Sequence, residues 1–490
     1  MTTEPTSYLA QDVKPEGLQI EMTEEAQDSK DVKDFVDPTA DYSGAVSKTD
    51  PREIALVRKI DFRVMPTLWC MYFMNYLDRN AVANAVLNGI KTDLGLKGTQ
   101  YNTCISILFV GYIIAQVPSN MFISSANIRP AIYMGGWMAV WAVNSACTAL
   151  VHNYKGLLLV RFFLGFTEAP FYPGALYLLS RFYTRKELAL RISILYSGNI
   201  FATAFSGLIA AATFATLDGA HGIQGWRWLF IIEGVVTFTI ALISVFLLPN
   251  SPMETRWLTP EERQMVVDRI NRDTVGMETK TGVWSGLLQA VRDPRLYLFV
   301  FMQNMHLSST SFSNFFPTVL SALGQSSIIT LVLTAPPYIV AGVITWMVGI
   351  SSGKFNERTW HITATMGVAT VGFIISCTTL NHGARYFATF LFASGTYAVN
   401  SLVIGWIAAT LGQTAEKKAV SLAIVNTFAN LSYVYTSYLY PASNGPYYKI
   451  GMASSAAFSA AMILSAWALR FWLVSTNKKM GWQNGLRYAY

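Results

Sequence analysis

Long apolar runs recur along the whole chain and dominate its pattern of hydrophobic and polar positions. Each run has about 20 residues or more, which as a helix crosses a hydrocarbon core of about 30 Å. Six runs precede a central polar stretch, at positions 62–86, 101–124, 131–151, 156–180, 189–214 and 226–248. Six more follow it, at positions 296–320, 328–350, 362–380, 386–411, 419–440 and 452–474. The pattern predicts an all-α membrane protein with twelve transmembrane helices in two six-helix bundles. Numbered in chain order, the runs are the first to twelfth spans.

The polar stretch between the two halves is too mixed in charge to cross a membrane. Its segment LTPEERQMVVDRINRD places Thr259 as N-cap, Pro260 at the first helical position and Glu262 where it completes a capping box. This stretch therefore predicts a linker with one short amphipathic helix on the cytoplasmic face. The chain is expected to divide into an acidic tail at 1–57, a first bundle at 58–248, the linker at 249–294, a second bundle at 295–474 and a tail at 475–490.

Two adjacent prolines, Pro336 and Pro337, lie in the middle of the eighth run. Proline has no backbone N–H, and so it leaves carbonyl groups without partners. A membrane tolerates such groups only where protein or a watery cavity covers them. The pair predicts a broken or kinked eighth helix.

A short similarity relates the two halves. RFFLGF, which opens the fourth span at Arg161, aligns with RYFATF, which opens the tenth span at Arg385. The fourth and tenth spans are equivalent elements if the chain contains two parallel six-helix repeats, an arrangement found in transporters. The alignment favours such repeats, although six positions in an aromatic-rich chain also align by chance.

Composition supports the membrane interpretation. Hydrophobic residues make up 52% of the 490 residues and charged residues 13%, whereas roughly 25% charged residues is ordinary for soluble proteins. The four cysteines, Cys70, Cys104, Cys147 and Cys377, all lie inside apolar runs without metal-ligand spacing. They are predicted to be small core residues, and no metal site is expected.

The distribution of lysine and arginine predicts the orientation of the spans. The short loops on one side contain nine of these residues and those on the other side five, and cytoplasmic loops carry the excess. Because the number of spans is even, both termini are predicted to be cytoplasmic, and the predicted location is the plasma membrane. The first 50 residues, with 12 acids and 4 lysines and no cleavable signal, predict a disordered tail. The net charge of +7 reflects the cytoplasmic flanks, and so nucleic-acid binding is not indicated.

Four charged residues inside apolar runs are the first candidates for function: Asp78 and Arg79 in NYLDRNAV of the first span, and Arg161 and Glu168 in the fourth. The rise of a helix places Asp78, Arg79 and Arg161 at one level, with Glu168 about 10 Å closer to the cytoplasm on the same face as Arg161. Intramembrane ionisable residues usually face a cavity and bind ions or substrate. The alternative is that they pair with neighbouring helices and hold the bundle together. Asp78 and Arg79 need different partners, since adjacent helical positions point about 100° apart.

Other polar residues inside the spans are weaker candidates. Glu233 in FIIEG has Arg227 nearby in the same helix, which favours a structural role. His306 is expected to be a histidine at a helix interface rather than a proton relay. Asn199, Asn426 and Asn430 are expected either to join helices by hydrogen bonds or to contact substrate.

Five segments together resemble the anion:cation symporter family of the major facilitator superfamily. They are NYLDRNAV in the first span, QVPSN in the second, RFFLGFTEAPFYPG in the fourth, GWRWLFIIEG in the sixth and GKFNERTWH after the eighth. The resemblance covers about residues 58–474 and is strongest to the fungal branch named for allantoate permease, which includes nicotinate, pantothenate, biotin and cysteine carriers. It implies the major facilitator fold, with the two bundles rocking about a central site.

The resemblance also implies roles for individual residues. Asp78 and Glu168 are expected to couple protons, and Arg79 and Arg161 to bind a substrate carboxylate. Asn199 occupies the position of a fifth-helix glutamine of bacterial sugar-acid members, and an eleventh-helix Gly-Asn pair becomes Ala429 and Asn430. These departures argue against a sugar acid as substrate. Asn199 and Asn430 are carried as substrate-binding candidates, and His306, Glu233 and Asn426 as secondary ones.

The function expected from these observations is proton-coupled uptake of a small organic anion, a carboxylate such as nicotinate, allantoate or pantothenate, by alternating access. A proton gradient is the expected energy source, without a cofactor, and the protein is expected to be monomeric. An efflux antiporter for a small metabolite is the first alternative, and a nutrient receptor on the same fold is the second. An enzyme is not expected, since neither HExxH nor a strand-bound GxSxG motif occurs.

Overall fold

A computed structural model describes residues 50–123, 129–273, 283–355, 357–411, 415–480 and Tyr488. Every regular element in these described residues is helical, which confirms the all-α prediction. The predicted acidic tail and most of the C-terminal tail lie outside them.

Apart from the first, which begins at Pro51 rather than at position 62, the first six spans begin and end within a few residues of the predicted positions. Asp50 caps the first helix by accepting from the backbone N–H of Arg52 (2.8 Å), and Asn153 caps the fourth by accepting from Gly156 (2.9 Å). The fourth span is divided just after Glu168, where Pro170 has no N–H to donate. The six spans are the helices Pro51–Ala85, Gln100–Ile123, Pro130–Cys147, Tyr154–Glu168 with Phe171–Phe182, Arg185–Leu217 and Gly225–Leu247.

Of the second six spans, the seventh, tenth and eleventh are divided. The six are Pro294–Thr310 with Phe316–Ser321, Ser327–Phe355, Thr359–Thr378, His382–Tyr397 with Asn400–Thr410, Ala415–Asn430 with Ser432–Thr436, and Lys449–Met480. Short elements join or extend the spans: the helix Ile90–Asp93 and the 3₁₀ turns Val86–Asn88, Thr148–Leu150, Ala220–Gly222, Ser311–Phe315, Ser437–Leu439 and Ala442–Asn444.

Length and apolar composition alone identify only half of these spans among the described helices. The six that pass are Leu190–Leu217, Gly225–Leu247, Ser327–Phe355, Thr359–Thr378, His382–Thr410 and Lys449–Lys479. The first span is long enough, but it contains Asp78 and Arg79 and begins with several charged residues. Others, the fourth, seventh and eleventh, are divided by turns or short breaks.

The spans pack into two six-helix halves. The second span packs against the fourth and the third against the sixth, while in the other half the ninth packs against the tenth and twelfth. Between the halves, the fifth span lies along the eighth, and the second meets the eleventh. The described part of the chain therefore has the two-bundle arrangement that the apolar runs predict.

Two glycines let the second and fourth spans touch backbone to backbone. A Cβ atom built on Gly165 would lie 1.9 Å from the carbonyl oxygen of Leu108, and one built on Gly111 would lie 2.2 Å from that of Phe162. Small residues allow such close approach in membrane helices. The contact fixes the fourth span, and with it Arg161 and Glu168, against the second.

The eighth span is one continuous helix through Pro336 and Pro337, and so of the predicted break or kink the break is wrong, while the kink stays a prediction. Pro337 cannot donate to the carbonyl of Leu333, four residues earlier. The hydroxyl of Tyr386 in the tenth span donates to that carbonyl instead (3.3 Å). A neighbouring helix thus supplies the missing partner, and no break is needed.

The predicted linker helix is confirmed at Pro260–Asp273. Its capping box is formed, because Thr259 N–H donates to Glu262 (2.9 Å) and Glu262 N–H donates to the Thr259 hydroxyl (3.2 Å). Burial opposes ionisation of Glu262, but hydrogen bonds from Lys59 (2.7 Å) and Thr259 lower its pKa below the ordinary value. The sequence did not predict a second linker helix, Val283–Val291.

Buried Arg269 attaches the linker helix to the first half. Its guanidinium pairs with Glu53 of the first span (2.5 Å) and with Glu187 of the fifth (2.7 Å). One side chain therefore joins three helices at the end where the first span begins.

Candidate functional site

A central cavity lies between the two halves and is lined by both. The first half contributes residues of the first, second, fourth and fifth spans, and the second half contributes residues of the seventh, tenth and eleventh. Among the described residues that line it, the charged ones are Arg79, Arg161 and Glu168, all from the first half. The two walls therefore differ in charge.

Arg79 and Glu168 form a buried ion pair across the first and fourth spans. The Arg79 Nε atom lies 2.5 Å from Glu168 Oε2, and the Glu168 side chain is fully buried. The guanidinium carbon of Arg79 also lies 4.7 Å from the ring centre of Tyr112 and 5.2 Å from that of Tyr76. Aromatic faces attract cations, and so Arg79 is held both by a carboxylate and by two rings.

Arg161 has no such carboxylate partner. The residue is 2% exposed, and its Nε and Nη1 atoms are buried without a hydrogen-bond acceptor among the described residues. The expected association with Glu168 along the fourth helix is therefore corrected, since Glu168 pairs with Arg79 instead. Buried donors without acceptors are costly, and a carboxylate bound to two parallel donors, Nε with Nη2 or Nη1 with Nη2, would satisfy one of the two unpartnered atoms of Arg161.

The equivalent arginine of the second half behaves differently. Arg385 is also buried, and its Nη2 atom donates to the backbone carbonyl of Pro446 (2.8 Å), while its Nη1 atom lacks an acceptor among the described residues. Of the two aligned arginines, Arg161 lines the cavity and Arg385 does not.

Asp78 lies behind the cavity wall rather than in it. Its carboxylate accepts hydrogen bonds from Trp141 Nε1 (3.1 Å), the Ser145 hydroxyl (3.1 Å) and the Thr237 hydroxyl (3.3 Å). These donors belong to the third and sixth spans. Asp78 and Arg79, neighbours in sequence, therefore have different partners, as the separation of about 100° between adjacent helical positions predicts.

Glu233 is the second acid in this region. It is 2% exposed, and neither carboxyl oxygen has a hydrogen-bond partner among the described residues. Arg227 is not its partner, because that guanidinium donates to the Ala149 carbonyl and to the Gln224 side chain (2.9 Å).

The other predicted residues, His306, Asn199, Asn426 and Asn430, all line the cavity. His306 Nε2 lies 2.9 Å from the Thr396 carbonyl oxygen. Asn430 donates to the Asn426 carbonyl (2.8 Å) within the eleventh span. The sequence predicts His306 at a helix interface, and it predicts that the asparagines either join helices or contact substrate. All four lie at the cavity, where each can contact a substrate.

Sequence reasoning missed much of the lining. Gln303 and Asn400 face each other across the seventh and tenth spans, with Gln303 Nε2 donating to Asn400 Oδ1 (2.9 Å). Gln303 precedes His306 by three positions, which is one helical face and could have indicated it. Seven tyrosines also line the cavity: Tyr72, Tyr76, Tyr112, Tyr172, Tyr196, Tyr397 and Tyr433.

The cavity is closed at the end where the second span begins. Asn102 donates to the Ser437 carbonyl (2.5 Å), and Ser106 donates to the Val434 carbonyl (3.0 Å). Deeper in, the rings of Phe109 and Tyr433 stack with centres 4.4 Å apart. These contacts join the two halves between the charged residues and this end of the cavity. Ligand exchange at this end therefore requires the second and eleventh spans to separate.

At the opposite end, Asp293 organises the start of the seventh span. Its carboxylate accepts from Arg295 (2.6 Å) and from Lys417 at the start of the eleventh span (2.6 Å). Burial acts to raise the pKa of Asp293, but these hydrogen bonds outweigh it and lower the pKa to about 2. The pair Asp293–Lys417 joins the seventh and eleventh spans within the second half.

Comparisons with known proteins agree with this architecture. An "uncharacterized transporter" of Schizosaccharomyces pombe is 32% identical over 428 residues, 87% of this chain and 87% of that protein. The major facilitator-type transporter hxnP of Emericella nidulans is 32% identical over 443 residues, 89% of this chain and 88% of its own.

Solved structures support the fold. A bacterial homologue of the human lysosomal transporter Spinster matches with a TM-score of 0.65 at 16% identity, over 86% of this chain and 96% of its own. A D-xylose-proton symporter matches with a TM-score of 0.62 at 14% identity, over 83% and 96%. The family model described as Major Facilitator Superfamily matches residues 68–437. The chain therefore belongs to the major facilitator superfamily.

Proposed function

We propose that the protein is a secondary active transporter that takes up a small organic anion together with protons by alternating access. The observation that carries the proposal is Arg161, a buried cavity arginine whose Nε and Nη1 atoms have no acceptor among the described residues. The finer resemblance, to the anion:cation symporter family and its allantoate permease branch, is part of this proposal.

Arg161 supplies the anion site. A guanidinium offers two parallel N–H donors to a carboxylate, and this bidentate pair is strong where water is excluded. Arg79 is already occupied by Glu168, and so the first carboxylate to enter meets Arg161 before it meets Arg79. Asn199 and Asn430, which line the same cavity, contribute further contacts to the substrate.

Glu168 couples the anion to a proton. When a proton binds the Glu168 carboxylate, the ion pair with Arg79 breaks and Arg79 becomes available to the anion. The loaded site then holds two arginines, one anion and a neutral Glu168, and it closes without leaving Glu168 as a competing charge. After the anion departs, Glu168 releases its proton and pairs with Arg79 again.

Asp78 is proposed as the second proton carrier. It is held by three neutral donors behind the wall, and it adjoins Arg79 in the same helix. Protonation of Asp78 would loosen its contacts to the third and sixth spans. Proton binding would thereby allow the first span to move relative to them.

The remaining expectations join the proposal. The protein is placed in the plasma membrane with both termini cytoplasmic, works as a monomer and uses a proton gradient rather than a cofactor. In this orientation the closed end of the cavity faces outward, and the structure corresponds to a state closed to the exterior.

Uptake into proteoliposomes tests the proposed function. A panel of radiolabelled carboxylates is supplied at external pH 5.5 and 7.5, with the interior buffered at pH 7.5. We expect uptake of one or a few members, faster at the acidic pH. Stimulated release of preloaded carboxylate by external acid would indicate an antiporter, and transport of neutral solutes alone would contradict the anion site.

A further inference from the structure

His306 has a buried ring nitrogen without a partner in the wall opposite Arg161. The residue is 1% exposed and lines the central cavity from the seventh span. Its Nε2 atom bonds the Thr396 carbonyl at 2.9 Å, whereas Nδ1 has no partner among the described residues. The hydroxyls of Ser309 and Thr310, in the next turn of the helix, donate to the His306 backbone carbonyl (2.7 and 2.9 Å). Neither hydroxyl therefore donates to Nδ1.

The Thr396 contact decides what Nδ1 can do. A carbonyl oxygen only accepts, and so His306 Nε2 carries the hydrogen. In the neutral ring the other nitrogen is then an acceptor. The acid that lines the cavity, Glu168, is paired with Arg79, and this leaves no carboxylate to hold the ring in its charged form. His306 thus presents an acceptor that needs an N–H or O–H donor.

Gln303 repeats the pattern one turn earlier on the same helix. Its amide nitrogen donates to Asn400 Oδ1 at 2.9 Å, and its Oε1 atom is buried without a donor among the described residues. Two acceptors, three positions apart, therefore lack donors on the face that lines the cavity. On the other wall, the unpartnered atoms of Arg161 are donors.

We infer that the substrate carries a hydrogen-bond donor, an N–H or O–H group, at the end opposite its carboxylate, and that His306 Nδ1 accepts from it. This inference rests on the proposed function, because Arg161 must hold the carboxylate for the other end to reach the seventh span. It narrows the substrate class to carboxylates with an amide, ureido, amino or hydroxyl group. Carboxylates whose far end only accepts hydrogen bonds leave the His306 and Gln303 acceptors buried and unpaired.

Pairs of ligands that differ only in the donor test the inference. The purified protein is titrated with succinamate and N,N-dimethylsuccinamate, with 3-ureidopropionate and its fully N-methylated form, and with 4-hydroxybenzoate and 4-methoxybenzoate, and thermal stabilisation is measured. An unpaired buried acceptor costs about 1–3 kcal/mol, and so we expect each stabilising donor form to bind about tenfold or more tightly than its methylated twin. Equal affinity of the twins overturns the inference.

Two substitutions separate the acceptor from the structural bond. His306→Gln keeps a donor near Thr396 and loses the Nδ1 acceptor, and we expect it to abolish the preference for donor forms. His306→Asn keeps an acceptor near the Nδ1 position, and we expect it to retain the preference. His361→Gln is the control, since His361 bonds Ser351 and Glu357 and does not line the cavity. Preference retained by His306→Gln overturns the inference.

The failure of the proposed function has a different signature. Absence of stabilisation by every carboxylate, in wild-type protein that stays folded, overturns the anion site and this inference with it. Stabilisation that is lost in an Arg161→Lys variant but is equal for both twins leaves the anion site standing and overturns the donor requirement alone.

Discussion

At the scale of single residues, Arg161 and Arg385 can be compared directly, because they occupy equivalent positions in the two halves. Both open equivalent spans and both are buried. Nη2 of Arg385 donates to the Pro446 carbonyl while its Nη1 lacks an acceptor, and Nε and Nη1 of Arg161 lack acceptors, among the described residues. What separates the two is position, since Arg161 lines the cavity and Arg385 does not. Under the proposed function, substrate binding therefore belongs to Arg161.

Arg161→Lys keeps the charge and removes the bidentate fork. Loss of one charge-assisted hydrogen bond costs about 1.5–3 kcal/mol, and so we expect carboxylate uptake per folded molecule to fall about tenfold or more. Arg385→Lys is the control, and it should lower thermal stability while uptake per folded molecule stays near wild type. Normal uptake by the Arg161→Lys protein would remove Arg161 from the binding role.

Glu168→Gln imitates the protonated acid permanently. The neutral amide no longer holds Arg79 as an ion pair, so the anion site stays available on both sides of the membrane. We expect exchange of labelled for unlabelled carboxylate to continue, while accumulation driven by a pH difference disappears. Accumulation that persists would contradict the coupling role, and loss of exchange as well would point to a structural ion pair.

The sequence predicted which charged residues matter better than it predicted their partners. Arg79, Arg161 and Glu168 line one cavity, as expected from charges inside apolar runs. Partners depend on the rotation and closeness of helices, which sequence spacing does not define. Asp78 therefore bonds Trp141, Ser145 and Thr237, none of which carries a charge that could have indicated it.

At the scale of elements, the contact between the second and fourth spans positions the site. Gly165 lies between Arg161 and Glu168 in sequence, and it meets the Leu108 carbonyl so closely that no side chain fits. In the eighth span, Pro337 leaves the Leu333 carbonyl without its usual partner, and Tyr386 of the tenth span donates to that carbonyl instead. Because this partner lies on another helix, it could not be predicted from the eighth span alone.

Gly165→Ala forces the second and fourth spans apart. Its Cβ would lie 1.9 Å from a backbone oxygen, and overpacking of this kind costs about 1–3 kcal/mol. We expect a lower Tm in detergent and weaker carboxylate binding, because Arg161 and Glu168 move with the helix. Gly136→Ala, where nothing lies within 4 Å, should leave both unchanged. An unchanged Tm for Gly165→Ala would contradict the close packing.

The Asp293 cluster gives a prediction for pH. The folded pKa of Asp293 is about 2, below its ordinary value of about 3.9. A depressed folded pKa stabilises the protein above the unfolded value, and this contribution is lost as the pH falls towards 2. We expect the Tm difference between wild type and Asp293→Asn to stay constant from pH 7 to pH 5 and to shrink below about pH 4. A difference that changes between pH 7 and pH 5 would contradict this assignment.

At the scale of the whole molecule, the two halves contribute different kinds of side chain to the cavity. The first half contributes the charged residues of the cavity, and the second half contributes neutral polar side chains such as Gln303, His306 and Asn400. Twelve apolar runs predicted the bundles, since burial in lipid requires helices of that length. Which spans meet across the halves could not be predicted, because an apolar run does not indicate which other helix it packs against and the polar contacts go to backbone groups, as between Asn102 and the Ser437 carbonyl.

Alternating access requires the second and eleventh spans to separate. The Tyr438 hydroxyl lies 3.1 Å from the Thr103 hydroxyl at the closed end. With the native cysteines replaced, cysteines at Thr103 and Tyr438 joined by a short bifunctional thiol reagent should stop transport. A reagent that reacts with only one thiol should leave most of the transport intact. Full transport by the cross-linked protein would show that this end does not open.

The central claim, that anion and proton move together through the Arg161 and Glu168 site, is tested most directly inside proteoliposomes. A pH-sensitive dye is enclosed, and the carboxylate that the uptake panel identifies is added outside while its accumulation is measured. With the membrane potential held near zero, one proton per monovalent anion predicts accumulation of about tenfold per unit of pH difference, and two protons, through Asp78 as well as Glu168, predict about a hundredfold. Both cases predict internal acidification in step with uptake. Glu168→Gln should abolish both the accumulation and the acidification. Accumulation by the wild-type protein without internal acidification would contradict the account.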